Sequence, residues 1–163
     1  MGEFIYVLRL TGNRFYIGKT TNMEQRFEQH LSGTAAAWTK KYKPISIERI
    51  IYDIHPYDED KFTKQYMATF GIDYVRGGSY TQVNLPDEDI YFLNREIWHA
   101  QGRCTRCGHM GHFVQNCFAK KDIYGNQFDN LSESSDIVWF CDICNEEFDT
   151  QQEAIQHEKC CNK

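Results

Sequence analysis

The chain has 163 residues, a formal net charge of −5 and 41% hydrophobic residues. This size and composition suit one small globular domain with appendages, or two small domains. No apolar run reaches the roughly 18 residues needed to cross a bilayer, so we expect no membrane partner. The N-terminus lacks the basic start and the small-residue cleavage site of a signal peptide, so we expect no secretion.

Charge and cysteine are distributed very unevenly along the chain. Residues 1–98 hold 12 basic and 13 acidic side chains, residues 99–122 hold 4 and 1, and residues 123–163 hold 2 and 9. All seven cysteines lie after residue 103. An odd number of cysteines in CxxC pairs near histidines indicates metal binding rather than disulfides, which predicts a reducing intracellular compartment.

The first 98 residues predict an α+β domain with a small three-stranded antiparallel sheet flanked by helices. Alternating β-prone residues at 3–10, a turn at 11–13 and a return at 14–17 predict a hairpin. Asn22 is expected to cap a helix that runs to about Leu31. Further along, we expect a short helix at 35–38, a third strand at 45–54, a helix at 58–70, a turn at 76–78 and a last helix at 87–99.

Residues 99–120 contain a complete set of zinc ligands at the spacing C-x2-C-x4-H-x4-C. The four ligands are Cys104, Cys107, His112 and Cys117. Three thiolates and one imidazole fill the tetrahedral shell of a structural zinc ion. The segment resembles the CCHC zinc knuckle, which implies binding of single-stranded nucleic acid. We expect Arg103, Arg106 and Phe113 to contact the substrate there, with a purely structural knuckle as the alternative.

Residues 137–163, after a polar linker at 121–136, predict a second zinc site. Its ligands are Cys141, Cys144, His157 and Cys161, with Cys160 as a competing fourth ligand. The spacing and the aromatic Trp139 and Phe148 resemble a C2H2 finger that ends in cysteine. Its helix is acidic where a DNA-reading helix needs basic residues, so we expect this finger to contact a protein partner or to be structural.

The N-terminal domain offers a set of side chains with chemical potential. Tyr6 and Tyr16 lie on the paired strands of the hairpin. Arg26 and His30 are spaced i, i+4 and therefore project from one face of a helix. Glu59 lies on the inward stripe of the later helix, where a bare carboxylate needs a partner or a metal ion. Taken singly, each of these residues also has an ordinary explanation as core or as solvated surface.

The order of these residues resembles the GIY-YIG nuclease family over about residues 3–85. The resemblance is carried by Phe-Ile-Tyr at 4–6, Tyr-Ile-Gly at 16–18, Lys19, Asn22, Arg26 and His30. The segment at 74–80 also resembles a subfamily that carries CCHC knuckles. The first glycine of the family name is replaced by Phe4.

This resemblance implies hydrolysis of a phosphodiester with one Mg²⁺ or Mn²⁺ ion bound by Glu59. By the same resemblance, Arg26 holds the scissile phosphate, and Tyr6 or, by preference, Tyr16 orients or deprotonates the attacking water. We expect Arg26 and the metal to lower the pKa of that tyrosine. His30 then positions a tyrosine or the phosphate.

Gly18 and Lys19 are expected to meet the substrate. With two structural zinc ions added, the sequence predicts a metal-dependent endonuclease that acts on DNA. Two alternatives stay open. One is a catalytically silent adaptor that binds single-stranded nucleic acid through its zinc modules, and the other is an interaction protein that docks through its acidic finger.

Overall fold

The computed structural model describes residues 2–128, 139–140, 147–148 and 157. The chain divides into two compact units, Met1–Phe118 and Ala119–Lys163, which are described separately. The first unit contains, in order, β1 (Phe4–Leu10), β2 (Arg14–Thr20), α1 (Met23–Ser32), α2 (Ala37–Lys41), β3 (Pro44–Ile51), α3 (Asp58–Phe70), β4 (Val75–Gly77) and α4 (Asp87–Ala100).

The sheet has four strands in the order β3-β1-β2-β4. Strand β1 pairs antiparallel with both β2 and β3, so the predicted three-stranded antiparallel sheet is present. The fourth strand, β4, runs parallel to β2 over three residues and replaces part of the turn expected at 76–78. The pairing is this close because Gly77 has no side chain, since a Cβ there would overlap the carbonyl oxygen of Ile17.

Both faces of the sheet are buried, which explains why β1 and β2 are apolar on both sides. One face packs Ile5, Val7, Phe15 and Ile17 against α3 and α4. The other face packs Tyr6, Leu8, Leu10 and Tyr16 against α1 and α2. The α+β class predicted from the sequence is therefore confirmed, with helices on both sides of a mixed sheet.

The helix ends follow local capping rules. The side chain of Asn22 accepts a hydrogen bond from the Gln25 amide and caps α1, as the sequence predicts. Gly33 ends α1 with φ of 75°, a left-handed conformation that favours glycine. Helix α2 begins at Ala37, two residues later than expected, because Trp38 is the residue that anchors it in the core.

In the second unit, Trp139–Phe140 pairs antiparallel with Glu147–Phe148, as expected for the aromatic hairpin of a finger. His157 is half-buried. The other predicted ligands of the finger lie outside the described residues, namely Cys141, Cys144, Cys161 and the competing Cys160. None of the helices in the described part of the chain has the length and apolar character needed to cross a membrane.

Candidate active site

Two buried tyrosines lie side by side on one face of the sheet. In the β1–β2 register Tyr6 lies opposite Gly18, and Leu8 lies opposite Tyr16. This places both phenol rings on the face covered by α1, with ring centroids 6.4 Å apart. The register of the hairpin strands therefore fixes the positions of both tyrosine rings in the site.

A directed chain of hydrogen bonds runs from α1 through Tyr6 to α2. Arg26 Nε donates to the Tyr6 hydroxyl at 2.9 Å, and that hydroxyl lies 2.8 Å from His30 Nε2. On the other side, His30 Nδ1 lies 2.8 Å from Thr39 Oγ1, and the Thr39 hydroxyl donates to the carbonyl of Ala36 at 3.0 Å.

The hydrogen bond from Thr39 to Ala36 determines the direction of the other bonds in this chain. Because Thr39 uses its only proton on Ala36, it must accept from His30, so Nδ1 of His30 carries the hydrogen. Nε2 is then an acceptor, and Tyr6 donates to it while accepting from Arg26. This chain of hydrogen bonds therefore fixes His30 as a neutral imidazole with its proton on Nδ1.

The electrostatics agree with neutral groups in the interior. Burial, with a smaller contribution from Arg26, lowers the pKa of His30 from its usual 6.5 to about 4. Burial raises the pKa of both Tyr6 and Tyr16 above the usual 10, and the opposing effect of Arg26 is smaller. Arg26 thus acts in the expected direction, but burial outweighs it in the protein alone.

Arg26 is held in a defined orientation. Its Nε binds Tyr6, and its NH1 donates to Gln29 Oε1 at 3.0 Å. Partial burial lowers the pKa of Arg26, but its hydrogen bonds to the Tyr6 and Tyr16 hydroxyls raise the pKa above its usual value. The guanidinium has five N–H donors in a planar fork, so donors remain for an anion.

Glu59 lies in the first turn of α3, the helix that packs against the opposite face of the sheet. Its charge acts on the pKa of both Tyr6 and Tyr16. Burial raises the pKa of Glu59, while Lys19, the backbone of Gly78 and Arg26 act to lower it. Strand β4 pairs with β2 only at 15–17, so the edge of β2 beyond Ile17 is open to α3.

The loop that follows β4 is fixed to α3 by Asp60. Its carboxylate accepts from the Ser79 amide at 2.7 Å and from the Ser79 hydroxyl at 2.9 Å. Gly78 has φ of 51°, and a Cβ there would overlap the Asp60 carboxylate. This contact holds the Gly78 amide where it donates to Glu59.

Gly18 and Lys19 are neighbours on β2 but make different contacts. A Cβ at Gly18 would overlap the Tyr6 hydroxyl and lie 2.5 Å from Cζ of the same ring. Glycine at this position therefore makes room for the buried phenol. Lys19 is exposed and forms an ion pair with Glu3 at 3.3 Å, while its charge also reaches Glu59.

The cysteine–histidine cluster has the geometry of a metal site. One ligand atom from each of Cys104, Cys107, His112 and Cys117 lies within 4.8 Å of the others. Both CxxC cysteines are buried, and Sγ of Cys107 lies 3.3 Å from Nε2 of His112. Three thiols and one imidazole at this spacing fit one tetrahedral zinc ion.

The residues expected to contact substrate on the knuckle fall into two groups. Arg103 NH1 donates to the Gly108 carbonyl at 3.2 Å, and Arg106 NH1 donates to the Cys117 carbonyl at 3.0 Å. Both guanidinium groups therefore brace the loop that carries the metal ligands. Phe113, by contrast, is 66% exposed and presents its ring to solvent.

Sequence reasoning missed three residues that position this site. Thr39 orients His30, Gln29 orients Arg26, and Asp60 orients the loop that binds Glu59. Gln29 carried a usable signal, because it is three residues from Arg26 on one helix. Thr39 and Asp60 act across separate elements, so no local pattern indicates them.

The fold brings two tyrosines, an arginine and a histidine together on one face of a mixed sheet in an α+β domain. In a comparison with known families, residues 3–66 match the GIY-YIG catalytic domain. Residues 3–66 are thus similar to the catalytic domain of that family, and the match leaves the rest of the chain uncovered.

Several curated relatives carry the UPF0213 label in their names. A UPF0213 protein of Cupriavidus necator is 43% identical over 44 residues, 27% of this chain and 48% of that protein. One of Fusobacterium nucleatum is 36% identical over 50 residues, 31% of this chain and 50% of that protein. One of Listeria monocytogenes is 27% identical over 94 residues, 58% of this chain and 90% of that protein.

The chain thus spans about half the length of the first two of these relatives. In the comparison with solved structures, none matches the chain.

Proposed function

We propose that this protein is a metal-dependent endonuclease that hydrolyses phosphodiester bonds of DNA. The observation that carries the proposal is the position of Arg26, which binds the Tyr6 phenol and interacts with both Tyr16 and Glu59. A guanidinium held between two phenols and a carboxylate is suited to bind a phosphate whose charge grows during the reaction.

Arg26 serves as the phosphate ligand in this mechanism. Two of its nitrogens are oriented by Tyr6 and Gln29, so its planar fork is pre-organised. Pre-organised donors gain strength in a water-poor site and need no rearrangement when charge develops. Lysine cannot replace this fork, because its ammonium offers a point charge without planar geometry.

Glu59 is the residue we assign to the catalytic metal. A half-buried carboxylate whose pKa is raised by burial favours a cation beside it, and one carboxylate with room for water suits Mg²⁺ or Mn²⁺. When bound, the ion supplies charge neutralisation at the reacting phosphate. Thr63, one turn later, is fully buried and donates its hydroxyl proton to the carbonyl of Glu59, so it supports the helix turn that presents the carboxylate.

The two tyrosines have different tasks. The Tyr6 hydroxyl accepts from Arg26 and donates to His30, so it is committed to positioning. Tyr16 interacts with Arg26 and has no such bond to His30, so we assign it to orienting the attacking water. Because the pKa of Tyr16 is raised, it acts as a neutral hydrogen-bonding group and not as a phenolate.

The zinc knuckle holds the nucleic acid in this proposal. The knuckle binds one structural zinc and offers Phe113 for stacking against an unpaired base. We propose a second structural zinc in the acidic C-terminal finger, which serves as a docking point for a protein partner. The domain boundaries at 98, 120 and 136 remain predictions.

The proposal is tested by incubating the zinc-loaded chain with duplex, single-stranded and branched DNA in the presence of Mn²⁺. We expect nicking that falls by at least about 100-fold in Arg26→Lys, which loses the planar fork of donors, and in Glu59→Gln, which loses the charge that holds the metal ion. Glu48→Gln, an exposed carboxylate on β3, is the control and should cleave normally. Binding without cleavage under any divalent ion would refute the proposal and favour the silent adaptor.

A further inference from the structure

Helix α2 is a rigid platform, although five residues are too few to form a stable helix alone. Trp38 is 2% exposed, and its indole donates to the carbonyl of Phe15 at 3.1 Å. The Arg76 guanidinium lies 4.5 Å from the indole ring, and the Tyr42 ring packs against the indole edge at 4.5 Å. These contacts fix the helix to the sheet, so its outer side chains have a defined base.

Three exposed lysines lie at the end of this helix and directly after it. Lys40, Lys41 and Lys43 are all exposed. Residues 29–47 contain these three lysines and no aspartate or glutamate. Within the part of the chain that the structure describes, none of the three forms an ion pair, whereas Lys19, Lys61 and Lys64 all do.

Contacts within the protein explain only part of this cluster of three lysines. A Cβ at Gly33 would lie 3.4 Å from Cγ of Lys40 and 3.6 Å from Nζ of Lys43, so these side chains approach the negative end of α1. The Lys41 ammonium lies 5.3 Å from the centroid of the Tyr42 ring. One cation is enough to complement a helix end, and the rest of residues 1–98 holds 9 basic and 13 acidic side chains, so three concentrated positive charges indicate an anionic partner.

The same helix belongs to the catalytic site. Thr39, which faces inward beside Lys40, bonds to His30, and His30 bonds to Tyr6. Lys40 and Lys41 therefore lie on the element whose inner side holds the hydrogen-bond chain, and Lys43 follows two residues after that helix ends. We infer that Lys40, Lys41 and Lys43 bind backbone phosphates of the DNA that flanks the scissile bond. This inference rests on the proposed function, because it places the scissile phosphate at Arg26.

The chemistry of such contacts makes a quantitative test possible. Each DNA phosphate neutralised by a lysine releases condensed counterions, and each contact steepens the salt dependence of log K by about 0.9. Contacts to phosphate do not read sequence, so the effect is the same on unrelated duplexes. A positively charged surface that serves only solubility would leave this slope unchanged.

The experiment measures binding of a fluorescent DNA duplex by anisotropy between about 50 and 200 mM salt, the range in which phosphate contacts dominate the slope. The full chain carries Glu59→Gln, and no chelator or divalent metal is added, so zinc stays bound and no cleavage occurs. In this background Lys40, Lys41 and Lys43 are replaced by glutamine, singly and together. Lys61→Gln on α3 is the control, and melting temperatures verify that each variant is folded.

We expect the triple variant to lower the slope by roughly 2 to 3, and affinity at low salt to fall by at least about tenfold. Each single variant should lower the slope by about 0.9, and Lys61→Gln should leave it unchanged. An unchanged slope in the single and triple variants, or a parent chain that does not bind the duplex, would overturn the inference. Binding with the expected slopes, together with no cleavage by the chain that retains Glu59 when Mn²⁺ is present, would refute the proposed function alone.

Discussion

The phenol of Tyr6 lies 2.8 Å from Nε2 of His30, although the two residues are 24 positions apart in the chain. This bond joins the first strand of the sheet to the last turn of α1. It is the second of three links that run from Arg26 to Thr39. Much of the behaviour expected of the site follows from the direction of these links.

The first prediction concerns Thr39, which fixes the tautomer of His30. Thr39→Val removes the acceptor of the His30 Nδ1 proton and leaves that donor buried without a partner, which costs about 1–3 kcal/mol of folding stability. Thr39→Ser keeps the hydroxyl. Nitrogen-15 NMR of the imidazole should show the Nδ1–H form in the parent and in Thr39→Ser, and a changed population in Thr39→Val.

Cleavage should follow the same order as the NMR result, with Thr39→Ser close to the parent and Thr39→Val impaired in kcat rather than in KM. If the parent imidazole carries its proton on Nε2, the directed hydrogen-bond chain is wrong, whatever the cleavage rate.

The second prediction concerns the pH dependence of stability. The folded protein holds the pKa of His30 at about 4, below its unfolded value near 6.5. The unfolded chain therefore binds more protons between these values, so the stability contributed by neutral His30 is present above about pH 6.5 and lost as the pH falls toward 4. Melting of the parent and of His30→Gln should converge across this range, because glutamine does not titrate. A gap that stays constant from pH 7 to pH 4 would contradict the lowered pKa.

The third prediction concerns Gly18. Gly18→Ala places a methyl group against the Tyr6 hydroxyl and ring, and overpacking of this kind costs about 1–3 kcal/mol. The phenol must also shift, so the hydrogen bonds to Arg26 and His30 should weaken and cleavage should fall. Gly2→Ala, which meets open space, is the matched control for melting and for cleavage. A fully active and stable Gly18→Ala would show that Tyr6 has room that the register does not suggest.

The fourth prediction concerns zinc at the knuckle. Cys104→Ser removes one of three thiolates from a closed tetrahedral site, so the chain should lose one equivalent of zinc by elemental analysis. Residues 4–100 should keep their far-UV signal, because the sheet and its two cores contain none of the four ligands. Zinc content equal to that of the parent would remove Cys104 from the ligand set.

The sequence predicts much of the framework because local rules determine it. The hairpin follows from alternation around 11–13, and the start of α1 follows from Asn22, whose side chain caps the helix in the structure. The four knuckle ligands follow from spacing alone, and the structure brings their ligand atoms together.

The rest depends on contacts between distant segments. The sequence does not indicate β4, because Gly77 at its end and Gly78 directly after it locally favour a turn, whereas the Gly77 backbone packs directly on Ile17. Arg103 and Arg106 were expected to face a substrate because they flank the knuckle and are charged. Their bonds to carbonyls of the knuckle itself cannot be deduced from flanking position.

The pKa of the tyrosines also depends on packing that the sequence alone does not reveal. From the sequence, a nearby arginine suggests a lowered pKa, and the direction of that effect is present. Helices packed on both faces of the sheet bury the phenols, and the depth of this burial depends on the whole sheet. Burial raises the pKa of both tyrosines, which reverses the direction expected from the arginine alone. In the proposed mechanism, Tyr16 therefore acts through its neutral hydroxyl.

The fifth prediction tests the central claim, that Glu59 seats a hydrated divalent cation beside the phosphate held by Arg26. Electron paramagnetic resonance of Mn²⁺ titrated into the zinc-loaded chain with a DNA duplex measures this directly. We expect one bound Mn²⁺ per chain that is lost in Glu59→Gln and retained in Glu48→Gln. Equal Mn²⁺ binding by the parent and by Glu59→Gln would contradict the account.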